Sequence, residues 1–289
     1  SLMIEPAPPF SAHVGCTIKH PITGEDYDCQ AITGNHRQLW GKFNVLGVHH
    51  NTGEEDMLAI YVAANLAARH AIQRILEDAT LRDENIIRFV EVGTWCGESA
   101  VTTACAIIDA ADTLLPEQNL ARTDYDDENF GSYPPEIRCE LAVVDTFEGS
   151  KTDKNWSVWM DYGGDIQGIC SDNLAQVAHQ HVVPALEIVP TVICGDSVAT
   201  ANGPIFHDSD GPILLDGIFI DAGHAYHECS ADIRAWWPLL RPGGYMFGHD
   251  YDMGFTGVVL AVDECCKDLA HCSPILLHNS RVWLVKKPN

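Results

Sequence analysis

Short apolar runs at 86–92, 140–145, 188–194, 213–221 and 245–248 alternate with longer stretches of helical periodicity, and this alternation limits the folds open to the chain. Apolar residues return at helical spacing over about 53–79, 99–110, 165–182, 226–240 and 256–270. Thr52-Gly53-Glu54-Glu55 reads as a capping box opening the first of these, and Arg241-Pro242-Gly243-Gly244 stops the fourth. A strand that leads into a helix cannot return as a hairpin. The next strand pairs with it in parallel, and helices cover both faces of the sheet. The expected fold class is α/β, a doubly wound and mostly parallel sheet. Two last apolar runs, 275–277 and 282–285, flank His278-Asn279-Ser280-Arg281 and predict an antiparallel pair at the sheet edge.

At 289 residues and 46% hydrophobic composition the chain can bury a large core. Its 41 Asp and Glu against 17 Lys and Arg give a formal charge of −24. Such a surface repels phosphate backbones and anionic lipid, so nucleic acid and membrane are expected not to be partners. No apolar run is long enough to span a bilayer, and the start lacks the basic segment and apolar stretch of a secretory signal. The eleven cysteines are odd in number and contain no CxxC, which points to reduced thiols and a cytoplasmic protein. Cys96, Cys105 and Cys194 lie in apolar runs and read as small buried hydrophobes.

Residues 1–85 read as an N-terminal arm and helix that suit contacts with substrate or with a second subunit, which leaves a homo-oligomer open. Residues 86–289 form the main domain, with an acidic, proline-punctuated insertion at about 111–139 ("RTDYDDENFGSYPP"). His49, His50, His179 and His181 read as surface histidines. Trp156, Trp159 and Tyr162 read equally as a lid or as core.

Ligands of open α/β sheets sit beyond the carboxyl ends of the strands, near the point where the strand order reverses. Each of the five expected ends carries a carboxylate: Glu91, Asp145, Asp196, Asp221 and Asp250. In "EVGTWCGES" the glycines stand at 93 and 97, not in the G-x-G-x-x-G spacing that admits a pyrophosphate. Thr94 and Trp95 occupy positions where a diphosphate needs bare backbone, and Glu91 suits a cation. The turn therefore fits a ligand bearing an amine or sulfonium, with a purely structural turn as the alternative. Asp145, followed by Thr146 in "LAVVDTFEGS", is placed to bind vicinal ribose hydroxyls, or else to cap a helix. In "VICGDS", Asp196 beside Ser197 accepts from an adenine amine or caps a helix.

"EVGTWCGES", "VVDTFEG", "VICGDS", "IFIDAGHAY" and "WWPLLRPGGYMFGHDY", in this order, resemble the class I S-adenosylmethionine-dependent methyltransferases. More narrowly they resemble the O-methyltransferase group that includes the macrocin and mycinamicin sugar O-methyltransferases. The resemblance spans about residues 86–287. It implies a Rossmann-like seven-stranded sheet with the last strand antiparallel, S-adenosylmethionine as cofactor, and a small-molecule hydroxyl as acceptor. It directs Glu91, Gly93 and Gly97, with Thr94, Trp95 and Ser99 around them, to the methionine end of the cofactor. Asp145 and Thr146 go to the ribose, and Asp196 and Ser197 to the adenine. Asp221 becomes a cofactor-facing and catalytic residue and a divalent-metal ligand, and His224 the general base, since an imidazole with pKa of about 6.5 can take a hydroxyl proton at neutral pH.

His249-Asp250 stands where metal-using relatives carry adjacent ligands such as Glu-Asp or Asp-Asn. Asp250 then joins Asp221 as a carboxylate ligand with His249 as a third, and Mg²⁺, Mn²⁺, Fe²⁺ or no metal remain open. Those relatives often carry a second acid where Gly223 stands. Rival readings are a metal-free methyltransferase, a nicotinamide-dependent oxidoreductase, and a cofactor-binding scaffold without catalysis.

Overall fold

The computed structural model describes residues 18–19, 26–27, 53–77, 85–115, 137–149, 165–180, 183–277 and 280–289. Seven strands build the main sheet: β1 (Ile86–Val92), β2 (Ile137–Asp145), β3 (Leu186–Cys194), β4 (Leu215–Ile220), β5 (Leu240–Gly248), β6 (Ile275–Leu276) and β7 (Trp283–Lys286). Helix α1 (Glu54–Glu77) precedes them, and α2 (Glu98–Leu114), α3 (Ile166–Gln180), α4 (Ser197–Ala201), α5 (Tyr226–Trp236) and α6 (Thr256–Cys265) connect them. The sheet order is β6-β7-β5-β4-β1-β2-β3. Strands β1 to β5 pair in parallel, and β7 runs antiparallel to both of its neighbours. The expected seven-stranded Rossmann-like sheet is therefore present. It differs in one respect: the edge is β6, and the last strand is inserted between it and β5.

Successive side chains of the strands feed two separate cores. Ile87 and Phe89 pack with α1, α2 and α3 on one face, while Val90 and Val92 pack with α5 and α6 on the other. The order reverses between β1 and β4, where Phe89 pairs with Gly217 and Val92 with Ile220. A Cβ at Gly217 would stand 2.4 Å from the Phe89 ring, so the ring lies directly on bare backbone.

Helix α1, grouped by sequence with the arm, is part of the main core. Its buried Ala63, Ala64, Ala67, Ala68 and Ala71 face buried Ala100, Ala104 and Ala111 of α2 within one cluster. Small side chains let the two backbones approach, close enough for Asn65 Nδ2 to donate to the Ala106 carbonyl at 2.9 Å. Filling such a seam with a larger side chain costs about 1–3 kcal/mol. Helix α2 runs four residues past its expected end, because Thr113 bonds back to Asp109 O at 2.8 Å and receives Arg69 from α1 at 3.3 Å. The insertion beyond it, at 116–136, lies outside the described residues, as do His49, His50, Trp156, Trp159, Tyr162 and His181.

Other sequence expectations shift for local reasons. The helix expected to reach 240 ends at Trp236, and a 3₁₀ turn with Pro238 near its start spans Trp237–Leu239. Lys287 Nζ caps the carbonyls of Trp237 and Leu240 at 2.9 and 2.7 Å, so strand β5 begins before the glycine pair. Cys96 and Cys105 are buried as expected, but Cys194 is exposed, because it ends the edge strand β3. Among the described residues no helix is long and apolar enough to cross a membrane.

Candidate active site

Backbone hydrogen bonds join the carboxyl ends of β1 to β5 into one rim. Gly93 N donates to Val144 O at 2.9 Å, Gly195 N to Asp145 O at 2.9 Å, Asp221 N to Val92 O at 2.8 Å, and His249 N to Ile220 O at 3.2 Å. Parallel pairing makes this unavoidable: each strand end has its neighbour's end beside it, so the five carboxylates line one edge of the sheet.

The turn after β1 is left-handed at Gly93 (φ 82), Trp95 (φ 50) and Gly97 (φ 85). Glycine is required at 93, where a Cβ would lie 2.3 Å from the Asp221 carbonyl oxygen. The turn is held from across the rim. Asp145 Oδ2 accepts from the N–H groups of Thr94 at 2.9 Å and Trp95 at 3.0 Å, and its Oδ1 accepts from Phe147 N at 2.8 Å. Asp145 is thus a buttress of the glycine turn in addition to any contact it makes with a ligand. Thr146, next to it, receives no ligand-directed role from any contact; its hydroxyl lies 3.5 Å from Glu148 N.

Glu91 is 1% exposed, and only one of its oxygens has a partner. Ser99 Oγ donates to Oε1 at 2.7 Å, whereas Oε2 is buried without a hydrogen bond. Burial pushes its pKa up to about 8, against the lowering influence of the nearby Ser99 and Thr94 side chains. Glu98, half-buried in the first turn of α2, is also pushed by burial to about 8. At the β3 end, Asp196 caps α4 by accepting from Ala199 N at 2.8 Å. The Ser197 hydroxyl accepts from Trp236 Nε1 at 2.8 Å. Both residues keep these structural duties while standing on the rim.

The densest charge lies at the ends of β4 and β5. His224 Nε2 is 2.8 Å from Asp250 Oδ2, and its ring centroid is 4.8 Å from that of Phe255. Asp221, His224 and Asp250 each present a ligand atom, and these atoms lie within 4.8 Å of one another. His249 is not in that group. It is buried, with Nδ1 3.3 Å from Asp250 Oδ1 and 3.6 Å from Asp221 Oδ1. Its Nε2 lies 3.1 Å from Asp56 Oδ2, an ion-pair distance although the N–H is not aligned for a hydrogen bond. Burial alone would lower the His249 pKa, but Asp221 and Asp56 outweigh it and raise it to about 10. Two imidazoles therefore border the two carboxylates: His249, whose other nitrogen is turned to Asp56, and His224, three residues after Asp221, which joins them in the compact group of ligand atoms.

The carboxylates respond in opposite directions. Burial holds Asp221 above the ordinary carboxylate range, with His249 pulling the other way. Burial also acts to raise Asp250, but His224, His249 and Arg281 outweigh it and hold Asp250 below that range. Asp56 is lowered to about 2 by His249 and Arg281 against its burial. Asp56 and Arg281 were not singled out in the sequence; the only local signal was their place in a helix start and a turn. No second acid replaces Gly223, where a Cβ would meet the Glu228 side chain at 2.5 Å.

A family profile described as a methyltransferase domain matches residues 90–251, from the middle of β1 to just past Asp250. The chain belongs to this methyltransferase family. No curated protein matches it. Solved structures similar to it include the O-methyltransferase NovP, at 13% identity over 91% of this chain and 100% of that one, with a TM-score of 0.45. Calicheamicin methyltransferase CalS11 gives 13% identity over 91% and 98%, with a TM-score of 0.44. An O-methyltransferase from Bacillus cereus in complex with SAH gives 11% identity over 92% and 93%, with a TM-score of 0.40.

This methyltransferase is of the S-adenosylmethionine-dependent class I type. Glu91 Oε2 lacks a partner, and the Gly93 turn leaves no room for a side chain between β1 and β4.

Proposed function

We propose that this methyltransferase moves the methyl group of S-adenosylmethionine to a hydroxyl oxygen of a small molecule, sugar-like or natural-product-like, with His224 as the general base. The observation that carries this reading is the 2.8 Å contact of His224 Nε2 with Asp250 Oδ2. A lowered, buried carboxylate accepts from Nε2–H and so selects the tautomer whose lone pair is on Nδ1. That is the arrangement in which an aspartate orients an imidazole for proton abstraction and then stabilises the imidazolium. S-adenosylmethionine supplies an electrophilic methyl group on a sulfonium. The chain's part is to hold the turn with Asp145, face the cation with Glu91, and take the hydroxyl proton with His224. The net charge of −24 favours a neutral or cationic acceptor over a phosphorylated one. The nine free cysteines among the described residues support a reducing, cytoplasmic setting.

A second reading rests on the cluster of Asp221, His224 and Asp250. These residues would hold a divalent ion, and their mixed nitrogen and oxygen donors suit Mn²⁺ or Fe²⁺ better than Mg²⁺. Such an ion would acidify a bound hydroxyl. His224 would then be a ligand through Nε2 and not the base. Calorimetric titration with S-adenosylhomocysteine, with and without Mn²⁺, followed by turnover against polyhydroxylated acceptors, tests both. Under the base reading, His224→Gln abolishes transfer with cofactor affinity nearly unchanged, and a chelator has no effect. Loss of turnover in chelator with recovery on Mn²⁺ selects the metal reading. No binding of S-adenosylhomocysteine under any condition sinks both.

A further inference from the structure

We propose that Arg281 and Asp56 act as a positioning pair that fixes the carboxylate of Asp250 and, through it, the imidazole of His224. This rests on the reading of Asp250 and His224 as a working pair, and it adds two residues that lie outside the matched methyltransferase region.

Asp56, in the first turn of α1, is 5% exposed and is held by Arg281 at three points. Its Oδ1 accepts from the Arg281 backbone N–H at 2.7 Å. Its Oδ2 accepts from Nε at 2.9 Å and from Nη2 at 2.8 Å. The remaining arm of the guanidinium, Nη1, donates to Asp250 Oδ1 at 3.0 Å. A planar fork fixed on one carboxylate therefore presents its last N–H to another in a set direction, which a lysine ammonium cannot do. With Oδ1 taken by Arg281, Asp250 turns Oδ2 to His224 Nε2 at 2.8 Å.

Arg281 also reaches the backbone there. Asp250 has φ 58, a left-handed conformation uncommon for a residue with a side chain. The next N–H, of Tyr251, donates to Arg281 O at 2.9 Å. One residue in the β6–β7 turn thus holds both the main chain beside Asp250 and its carboxylate. Asp250 Oδ1 also lies 3.3 Å from His249 Nδ1, and Nη1 at 3.0 Å is the shorter of its two contacts and the one whose direction is fixed by a fork anchored on Asp56. What Arg281 supplies is therefore direction and not merely charge.

The test uses the full chain labelled with ¹⁵N-histidine, its His224 signal assigned by loss in His224→Gln. Wild type should show His224 with Nε2 protonated and its N–H slowed in exchange. In Arg281→Ala that signature should give way to a tautomer mixture with fast exchange, while S-adenosylhomocysteine affinity stays close to wild type. Because the Arg281 side chain is 30% exposed, guanidinium ion below denaturing concentration should enter and restore the signature, whereas methylammonium should not. Arg281→Lys, which keeps the charge and loses the fork, should shift the signal in the same direction and serves if the alanine variant fails to fold. A wild-type His224 signal in either folded variant, or no recovery with guanidinium, overturns the proposal. The readout needs neither acceptor nor turnover, so a failure of the methyl-transfer reading would appear separately, as absent S-adenosylhomocysteine binding in wild type.

Discussion

Replacing Gly93 with alanine should damage both the fold and the proposed cofactor site, because this residue packs the glycine turn against the backbone just past β4. At φ 82 a side chain incurs roughly 1–2 kcal/mol for the left-handed conformation. The added Cβ would also stand 2.3 Å from Asp221 O and 2.6 Å from Ala222 Cα. Both are backbone atoms that no rotamer change can move. Forced displacement of packed structure adds about 1–3 kcal/mol, so the total loss should be on the order of 2–5 kcal/mol. Gly211 is the control, since it has φ 128 and a Cβ added there would have no atom within 4 Å. Gly211→Ala should show backbone strain only, with S-adenosylhomocysteine affinity intact. Urea unfolding at constant m value measures the stability loss, and calorimetry measures the affinity. If Gly93→Ala lost no more stability than Gly211→Ala and bound S-adenosylhomocysteine as wild type does, the contact between turn and β4 would have no energetic meaning.

Two further expectations concern the same rim. Glu91 has an ordinary value of 4.5 raised to about 8, so the folded state favours its protonated form. Its favourable contribution is complete below 4.5 and is lost as pH rises through about 8. Glu91→Gln should therefore gain stability over wild type as pH increases across this window, by at most about 1.4 kcal/mol per pH unit; a gap that stays constant with pH in chemical denaturation would rule out the buried titration. Asp145→Asn turns an acceptor of three backbone N–H groups into one that presents its own N–H₂ to them, and should cost about 1–3 kcal/mol of stability. A variant as stable as wild type in urea would show that the turn does not depend on Asp145.

The alternation of strand and helix signals determined much of this protein. It placed β1 to β5 in a parallel sheet and put Glu91, Asp145, Asp196, Asp221 and Asp250 on one rim, because parallel strands all end on the same side. The ordered motifs around those ends carried the methyltransferase resemblance as well. The positions that the sequence left open depend on directions and distances that no local pattern encodes. His249 and Asp250 are neighbours in the chain, yet the one turns its ring toward Asp56 while the other, left-handed at φ 58, faces His224. The left-handed conformation at Asp250 sets which of its oxygens meets His224 and which meets His249 and Arg281. Asp56 and Arg281 lie 225 residues apart, and nothing in either neighbourhood marks the other. They meet only because α1 packs on the sheet and β7 is inserted beside β5, which brings a helix start and a hairpin turn to the same strand end.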